Sequence, residues 1–300
     1  MSINESNKFL KAISKELPTH KGNLRIWIAS VKLNNTNLIQ TLSYHYTINK
    51  RKKQIIIKTS KNDNRKITVR KSNALPIIDI NNNEITDLYK DINRITIKIY
   101  KHEIIIEPLK EALEQQRAKA KLKAKKITFI DMFAGSGTLS ESFKNVGMFP
   151  IAATELEDKY LINYEKNNTD TFTYNTDITH IDFSLLPKNA TGMIVGIPCE
   201  CFCPSGTVKK ESLGQKSKEA GDTGSLGYFF LQAVEIIRPA FIVIEEVIGF
   251  RKSVMMDIIR SVLGHRGYTL SEKILNADEY GGMTKRKRFC MGATISKIPF

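Results

Sequence analysis

The sequence predicts an α/β chain: a Rossmann-like, doubly wound sheet over residues 127–300, with a linker helix at 108–126 and a basic, β-rich domain at 1–107 before it. Three observations carry this. From Ile127 onward, short apolar runs alternate with helix-forming segments, the pattern of a sheet covered by helices on both faces. The first of those runs enters a turn with glycines at 135 and 137, as strand-to-helix loops that approach a ligand do. Upstream, the apolar residues instead alternate with polar ones at a period of two.

In the N-terminal half, strand-like alternation marks Leu24–Val31, Thr41–Asn49, Gln54–Thr59, Lys66–Arg70, Arg94–Tyr100 and Glu103–Glu107. A weak repeat runs through them. From Leu38 to Lys58 the order is short helix, strand, basic turn, and a strand containing Ile55-Ile56-Ile57. From Ile85 to Glu107 the order recurs and ends on Ile104-Ile105-Ile106. This unit loosely resembles the swapped-hairpin domains of small bacterial DNA-binding regulators. Leu109 to Lys126 follows Pro108, is rich in Ala, Lys and Gln, and predicts the linker helix.

In the C-terminal half, Ile127–Ile130 is a buried-strand run leading into Asp131-Met132-Phe133-Ala134-Gly135-Ser136-Gly137-Thr138 and a helix from about Leu139 to Val146. The next strand, Pro150–Thr154, ends at Glu155, about twenty residues beyond the glycines, where an acid hydrogen-bonds ribose hydroxyls. A third short segment ends at Asp177-Ile178, placed to hold an adenine amino group. No Gly-Lys-Ser/Thr follows the glycines, which argues against a nucleoside-triphosphate loop. The run Met193-Ile194-Val195 leads to Gly196-Ile197-Pro198-Cys199, which aims a thiol at the crevice beyond a strand's carboxyl end.

Charge is unevenly placed. Residues 1–126 hold 27 Lys+Arg against 11 Asp+Glu, a net of +16, whereas the whole chain carries +15. A basic half joined to a neutral one suggests a polyanion-binding module on a catalytic one, although a solvated basic surface has the same composition. No apolar run approaches the roughly 20 residues of a membrane span. The first residues lack the basic and apolar regions of a signal peptide, and the crowded Cys199, Cys201 and Cys203 do not form a disulfide framework. A cytoplasmic, reduced protein is expected. Zinc is a poor fit to the Cys-x-Cys-x-Cys spacing, even with Cys290 added, and no metal is expected.

Taken together, the motifs over roughly 127–295 resemble those of the C5-cytosine DNA methyltransferases, in the family's order. The segment Asp131 to Gly137 matches its first S-adenosylmethionine motif. Glu155-Leu156-Glu157, with Tyr164 and Asn167, is similar to the second, and Asp177-Ile178 to the third. Pro198-Cys199 with Phe202 fits the catalytic motif, and Asp222 to Leu226 resembles the next. Pro239 to Glu245-Glu246-Val247 aligns with Glu-Asn-Val. Asn276 to Gly281, then Arg286-Lys287-Arg288, aligns with Gln-x-Arg-x-Arg.

The resemblance implies S-adenosylmethionine as cofactor, held by Phe133, Gly135, Ser136, Gly137, Glu155, Leu156, Asp177, Ile178, Pro198 and Leu226. It implies double-stranded DNA as partner, in restriction-modification or phage protection. The implied catalytic residues are Cys199, adding to cytosine C6, Glu245 at ring N3, and Arg286 and Arg288 at O2 and the backbone phosphate. The Gly-, Ser- and Lys-rich segment from Pro204 to Asp222 has the makeup of a lid. Phe133 fits the core as well as a cofactor contact, and Glu245 fits a helix cap or a pair with Arg286. The basic run at 285–288 also fits a plain edge-strand patch.

Departures are Glu200 for Gln, Cys203 for Ser, Glu246 for Asn and Thr284 for Gln, and Gly224 lacks the usual preceding Arg. In the family a target-recognition region and two further motifs follow the Arg-x-Arg strand. Two expectations follow: a second polypeptide supplies them, or the basic half reads the DNA while the 109–126 helix replaces the missing terminal helix. An inactive DNA-binding homologue and an RNA cytosine methyltransferase are the other readings.

Overall fold

Antiparallel strands build the N-terminal unit and one mixed sheet builds the C-terminal one, in a computed structural model that describes residues 7–61, 63, 65–70, 75–198 and 226–296. The units are Met1–Gln116 and Arg117–Phe300.

In the first unit, β1 (Phe9–Glu16), β4 (Tyr44–Asn49), β5 (Gln54–Thr59), β8 (Arg94–Tyr100) and β9 (Glu103–Pro108) form a sheet in the order β1-β8-β9-β5-β4. A second sheet has the order β2-β3-β7-β6, from β2 (Thr19–His20), β3 (Asn23–Ala29), β6 (Thr68–Arg70) and β7 (Leu75–Asn81). Two short helices, α1 (Leu38–Thr41) and α2 (Asn83–Leu88), sit between strands. The inward rows are mostly isoleucine: Ile26, Ile28, Ile55, Ile57, Ile78, Ile97 and Ile104 are at most 1% exposed. β-Branched side chains favour the pleated surface, and their period-two spacing sends them all to one side.

The weak repeat is an architectural one. The order strand, helix, hairpin occurs as β3-α1-β4-β5 and again as β7-α2-β8-β9. The two first strands pair antiparallel with Ile26 opposite Ile80 and Ile28 opposite Ile78. The two last strands pair with Ile55 opposite Ile106 and Ile57 opposite Ile104. Both registers are those of a local two-fold axis, passing between Trp27 and Asp79 in one sheet and between Ile56 and Ile105 in the other. The strands β1 and β7 are absent from the sequence-based expectation. Residues 41–43, expected as strand, end α1 and enter β4 instead, with Leu42 in the left-handed region at φ 51°.

The expected linker helix is α3 (Lys110–Lys121), and the division between units falls inside it. Ala112 belongs to the first unit's core and Ala118 to the second's.

In the second unit, β10 (Thr128–Met132), β11 (Phe149–Glu155), β12 (Phe172–Asn175), β13 (Gly192–Val195) and β14 (Phe241–Glu246) run parallel. The hairpin of β15 (Thr269–Asn276) and β16 (Lys287–Thr294) joins antiparallel to β14, giving the order β12-β11-β10-β13-β14-β16-β15. The helices are α4 (Thr138–Lys144), α5 (Asp158–Asn167), α6 (226–237) and α7 (Val254–His265). All four residues of β13 are buried, so its sequence is continuously apolar rather than alternating. The strand order reverses between β10 and β13, which opens a crevice at their carboxyl ends.

The α3 helix does not stand beside that crevice. Its Lys121 Nζ donates to the carbonyl oxygens of Lys188 and Ile237 at 2.7 Å each and of Arg238 at 3.1 Å. Those carbonyls end α6 and precede β13 and β14, at the amino edge of the sheet. The expectation that this helix replaces a terminal helix at the cofactor site is therefore not met. Burial pushes the Lys121 ammonium down to about 8, while the carbonyls of Ile237 and Arg238 at the end of α6, and of Lys188 before β13, accept its protons. Among the described residues no helix is long and apolar enough to cross a membrane.

Candidate active site

Two clefts open at the carboxyl ends of the parallel strands, and Phe133 lines both. Phe133 leaves β10 with φ 59°, a left-handed conformation that is strained for an aromatic residue and recurs at functional loops. Its backbone is held in place: Phe133 N lies 3.4 Å from Thr154 Oγ1, and Ala134 N donates to Thr154 O at 2.9 Å.

The smaller cleft, about 280 Å³, is lined by Phe133, Glu155, Leu156, Tyr160, Asp177, Ile178, Pro198 and Leu226, among others. Glu155 stands at the end of β11 with both carboxylate oxygens engaged. Oε2 accepts from Gly135 N at 2.8 Å and Oε1 from Glu157 N at 2.9 Å. Asp177 Oδ1 accepts from Thr179 N at 2.9 Å and Thr179 Oγ1 at 2.8 Å. These bonds hold the Asp177 carboxyl below the usual range and keep it ionised. Two oriented carboxylates flanked by Leu156, Tyr160, Ile178, Pro198 and Leu226 suit a nucleoside: acceptors for hydroxyl and amino protons, and apolar walls for a flat ring.

The expected cofactor residues divide between the clefts. Glu155, Leu156, Asp177, Ile178, Pro198 and Leu226 line the smaller, Gly135 and Ser136 the larger, and Phe133 both. Gly137 lines neither. It caps α4 at φ 88°, and a Cβ there would lie 2.8 Å from Tyr164 Cδ2. Its role is to let the loop pack down on α5.

Beneath that loop lies a buried chain that sequence reasoning missed. Ser140 Oγ donates to Asp131 Oδ2 at 2.6 Å and lies 2.9 Å from Tyr164 Oη. Asp131 is 1% exposed, and desolvation pushes its carboxyl up to about 7; the Glu155 charge adds to this and the Ser140 hydrogen bond opposes it. A serine two residues into a helix carries no sequence signal of this kind, although the Asp131 and Tyr164 positions were marked by the motifs.

The larger cleft, about 650 Å³, brings Asp131, Phe133, Gly196, Glu245, Tyr280, Arg286, Arg288 and Cys290 to one wall or another. Glu245 lies within β14, one residue before its end, beside the exit of β13: a Cβ at Gly196 would be 3.9 Å from Glu245 Oε2. Register places Glu245 opposite Cys290. Arg288 Nε lies 2.8 Å from Glu245 Oε1, an ion pair. The pair expected for Glu245 is thus formed with Arg288, not Arg286. Arg286 also does not share a strand with Arg288, because β16 begins at Lys287. Arg286 sits in the preceding turn, its N–H donating to Thr284 O at 2.8 Å and its carbonyl accepting from Ala277 N at 3.0 Å.

Glu246, in place of the family's Asn, is 2% exposed and accepts from Val247 N at 3.1 Å; it points away from the cleft, being absent from its lining. Cys290 is half-buried, and burial and then the Glu245 charge push its thiol up, which keeps it protonated. Cys199, Glu200, the segment from Pro204 to Asp222 and residues 222–225 lie outside the described residues.

Residues 127–298 match the family model of the C-5 cytosine-specific DNA methylases. The chain is 31% identical over 171 residues to the type II methyltransferase M.DdeI of Desulfomicrobium norvegicum, which covers 54% of this chain and 39% of that protein. It is likewise 31% identical over 162 residues to M.HgiDI of Herpetosiphon aurantiacus, 53% of this chain and 49% of that protein. Among solved structures, the Entamoeba histolytica methyltransferase EhMeth superposes with a TM-score of 0.49 at 19% identity, covering 59% of this chain and 56% of that one. The chain thus spans about half or less of the length of the curated relatives it matches. With more than half of its length under that family model, and the model's region coinciding with the seven-stranded sheet and its two clefts, the chain belongs to the C-5 cytosine-specific DNA methylases.

Proposed function

We propose that the chain methylates cytosine at C5 in double-stranded DNA, with S-adenosylmethionine as methyl donor, as the catalytic part of a restriction-modification system. The observation that carries this is the Glu245–Arg288 pair on the wall of the larger cleft, which meets at Phe133 a second cleft suited to a nucleoside.

Glu155 and Asp177 would take the hydroxyl and amino protons of the cofactor's nucleoside, and Leu156, Tyr160, Ile178, Pro198 and Leu226 its ring. When bound, S-adenosylmethionine supplies an electrophilic methyl group. Gly135 lets the loop's backbone approach it, and Gly137 lets that loop pack on Tyr164 of α5.

Cys199 follows Pro198, a wall of the smaller cleft, directly in the chain. Its thiolate adds to C6 of the cytosine, which makes C5 nucleophilic. Glu245 holds the ring N3 proton, Arg288 orients the Glu245 carboxylate, and Arg286 faces the same cleft as a donor to O2 or a phosphate. After C5 has taken the methyl group, whose bonding pair would stay on the donor sulfur, water takes the C5 proton, and the released C–H pair restores the ring and expels the Cys199 sulfur. A base in a duplex reaches such a cleft by leaving the stack.

The description of the matching family, C-5 cytosine-specific DNA methylase, favours DNA over RNA. Transfer of labelled methyl groups to DNA by this chain alone tests the proposal. Cys199→Ser is expected to abolish transfer while cofactor binding persists. Arg288→Ala is expected to lower the turnover rate about 10²- to 10³-fold, the range for losing one positioned donor at developing charge. Full transfer by Cys199→Ser would refute the assignment. Site-specific transfer without any partner would show that the basic half, rather than a second polypeptide, reads the DNA.

A further inference from the structure

Trp27 is the chain's sole tryptophan, and it lies half-buried on the outward row of β3, in the middle of the sheet β2-β3-β7-β6. The Arg70 guanidinium stands 5.6 Å and the Lys15 ammonium 5.7 Å from its ring centroid. Lys15 Nζ also donates to the Trp27 carbonyl at 2.5 Å. Arg25, on the same row, binds both oxygens of Asp79 at 2.9 and 2.6 Å, so the patch's own carboxylate is already neutralised. Among the described residues no ion pair involves Lys15 or Arg70; burial first, and then the Arg25 charge, lowers the Lys15 ammonium.

Cations that lack counter-charges, held beside an aromatic side chain on one face, are matched to a ligand of negative charge. The unit bearing it, residues 1–116, holds 21 Lys+Arg against 11 Asp+Glu, which suits an extended polyanion rather than a small anion. The local two-fold axis emerges through this same face, between Trp27 and Asp79. Duplex DNA has two-fold axes of its own, and two-fold proteins dock with the axes aligned.

We infer that the outward face of this sheet, centred on Trp27, Lys15 and Arg70, is a docking surface for the backbone of duplex DNA. The inference draws on the methyltransferase proposal only in choosing DNA among polyanions.

The sole tryptophan makes the test direct. Trp27 emission of the full chain is followed while a short DNA duplex is added at several salt concentrations, with anisotropy of labelled duplex as an independent measure of binding. Emission is expected to change along the same isotherm as the anisotropy. Arg70→Ala should lower affinity about fivefold at 0.15 M salt and flatten the logarithmic salt dependence by about 0.9, the effect of one lost phosphate contact. Lys110→Ala, an exposed cation on α3, should change neither.

Binding seen by anisotropy with unchanged Trp27 emission would overturn the inference. So would equal losses in Arg70→Ala and Lys110→Ala, or tighter binding of single-stranded RNA than of the duplex. Methyl transfer is measured separately. If wild type binds at Trp27 but transfers nothing, the catalytic proposal fails and the docking surface stands.

Discussion

Replacing Asp131 with asparagine isolates the energetics of the buried chain beneath the cofactor loop. The carboxyl is almost wholly enclosed, and desolvation pushes it up to about 7 from an ordinary value of 3.8. Between those two values the folded state keeps a proton that the unfolded state has lost. Stability therefore falls as pH rises, by about 1.4 kcal/mol per pH unit, and stops falling once the folded carboxyl has ionised above about 7. The contribution is fully present below 3.8 and is lost as pH rises through the folded value. Asparagine keeps nearly the same shape, still accepts from Ser140, and never ionises. The stability of Asp131→Asn minus that of wild type should climb by about 2 kcal/mol from about pH 5.5 to 7 and then level off. Urea unfolding followed by far-ultraviolet circular dichroism gives the difference at each pH. Trp27 emission in the same samples reports the N-terminal unit, which should not respond to the substitution. A difference independent of pH, or one that falls toward alkaline pH, would refute the reasoning.

Two further substitutions bear on the same loop. Glu155→Ala removes the acceptor of Gly135 N and Glu157 N and the acid expected at the ribose, and it should weaken S-adenosylmethionine binding by tenfold or more, as charged hydrogen bonds of about 1.5–3 kcal/mol imply; unchanged affinity by titration calorimetry would sink the assignment. Gly137→Ala places a methyl group against the Tyr164 ring at a left-handed backbone position, and it should cost about 1–3 kcal/mol of stability. A melting temperature equal to wild type would show that the loop relaxes freely.

Much of the C-terminal half was legible because its signals are local. Buried parallel strands read as unbroken apolar runs, and Gly135, Gly137, Glu155 and Asp177 lie where the chain itself turns. What could not be read depends on partners distant in sequence. Arg288 was a candidate for cytosine O2, but its pairing with Glu245 follows from an antiparallel register set by β16 against β14. Arg286 looked strand-like by alternation alone, yet the turn bonded to Ala277 and Thr284 delays the strand by one residue. The Ser140–Tyr164 contact joins two helices whose sequences say nothing of each other. In the N-terminal half the repeat was visible in the isoleucine triplets. Strands β1 and β7 were missed because Lys11, Lys15 and Pro76 interrupt the apolar signal there.

The strand pairing across the local two-fold axis has one last consequence. In a symmetric dimer, a residue on the axis must face its own copy. Two aspartates so placed would repel, and two tryptophans would crowd one spot. Because both halves here belong to one chain, the axis can separate unlike residues, and in one sheet it does: Trp27 faces Asp79. In the other sheet, Ile56 still faces Ile105. The module keeps a symmetric framework but carries an asymmetric mark at its centre, so a two-fold ligand lying across it meets a left side and a right side that differ.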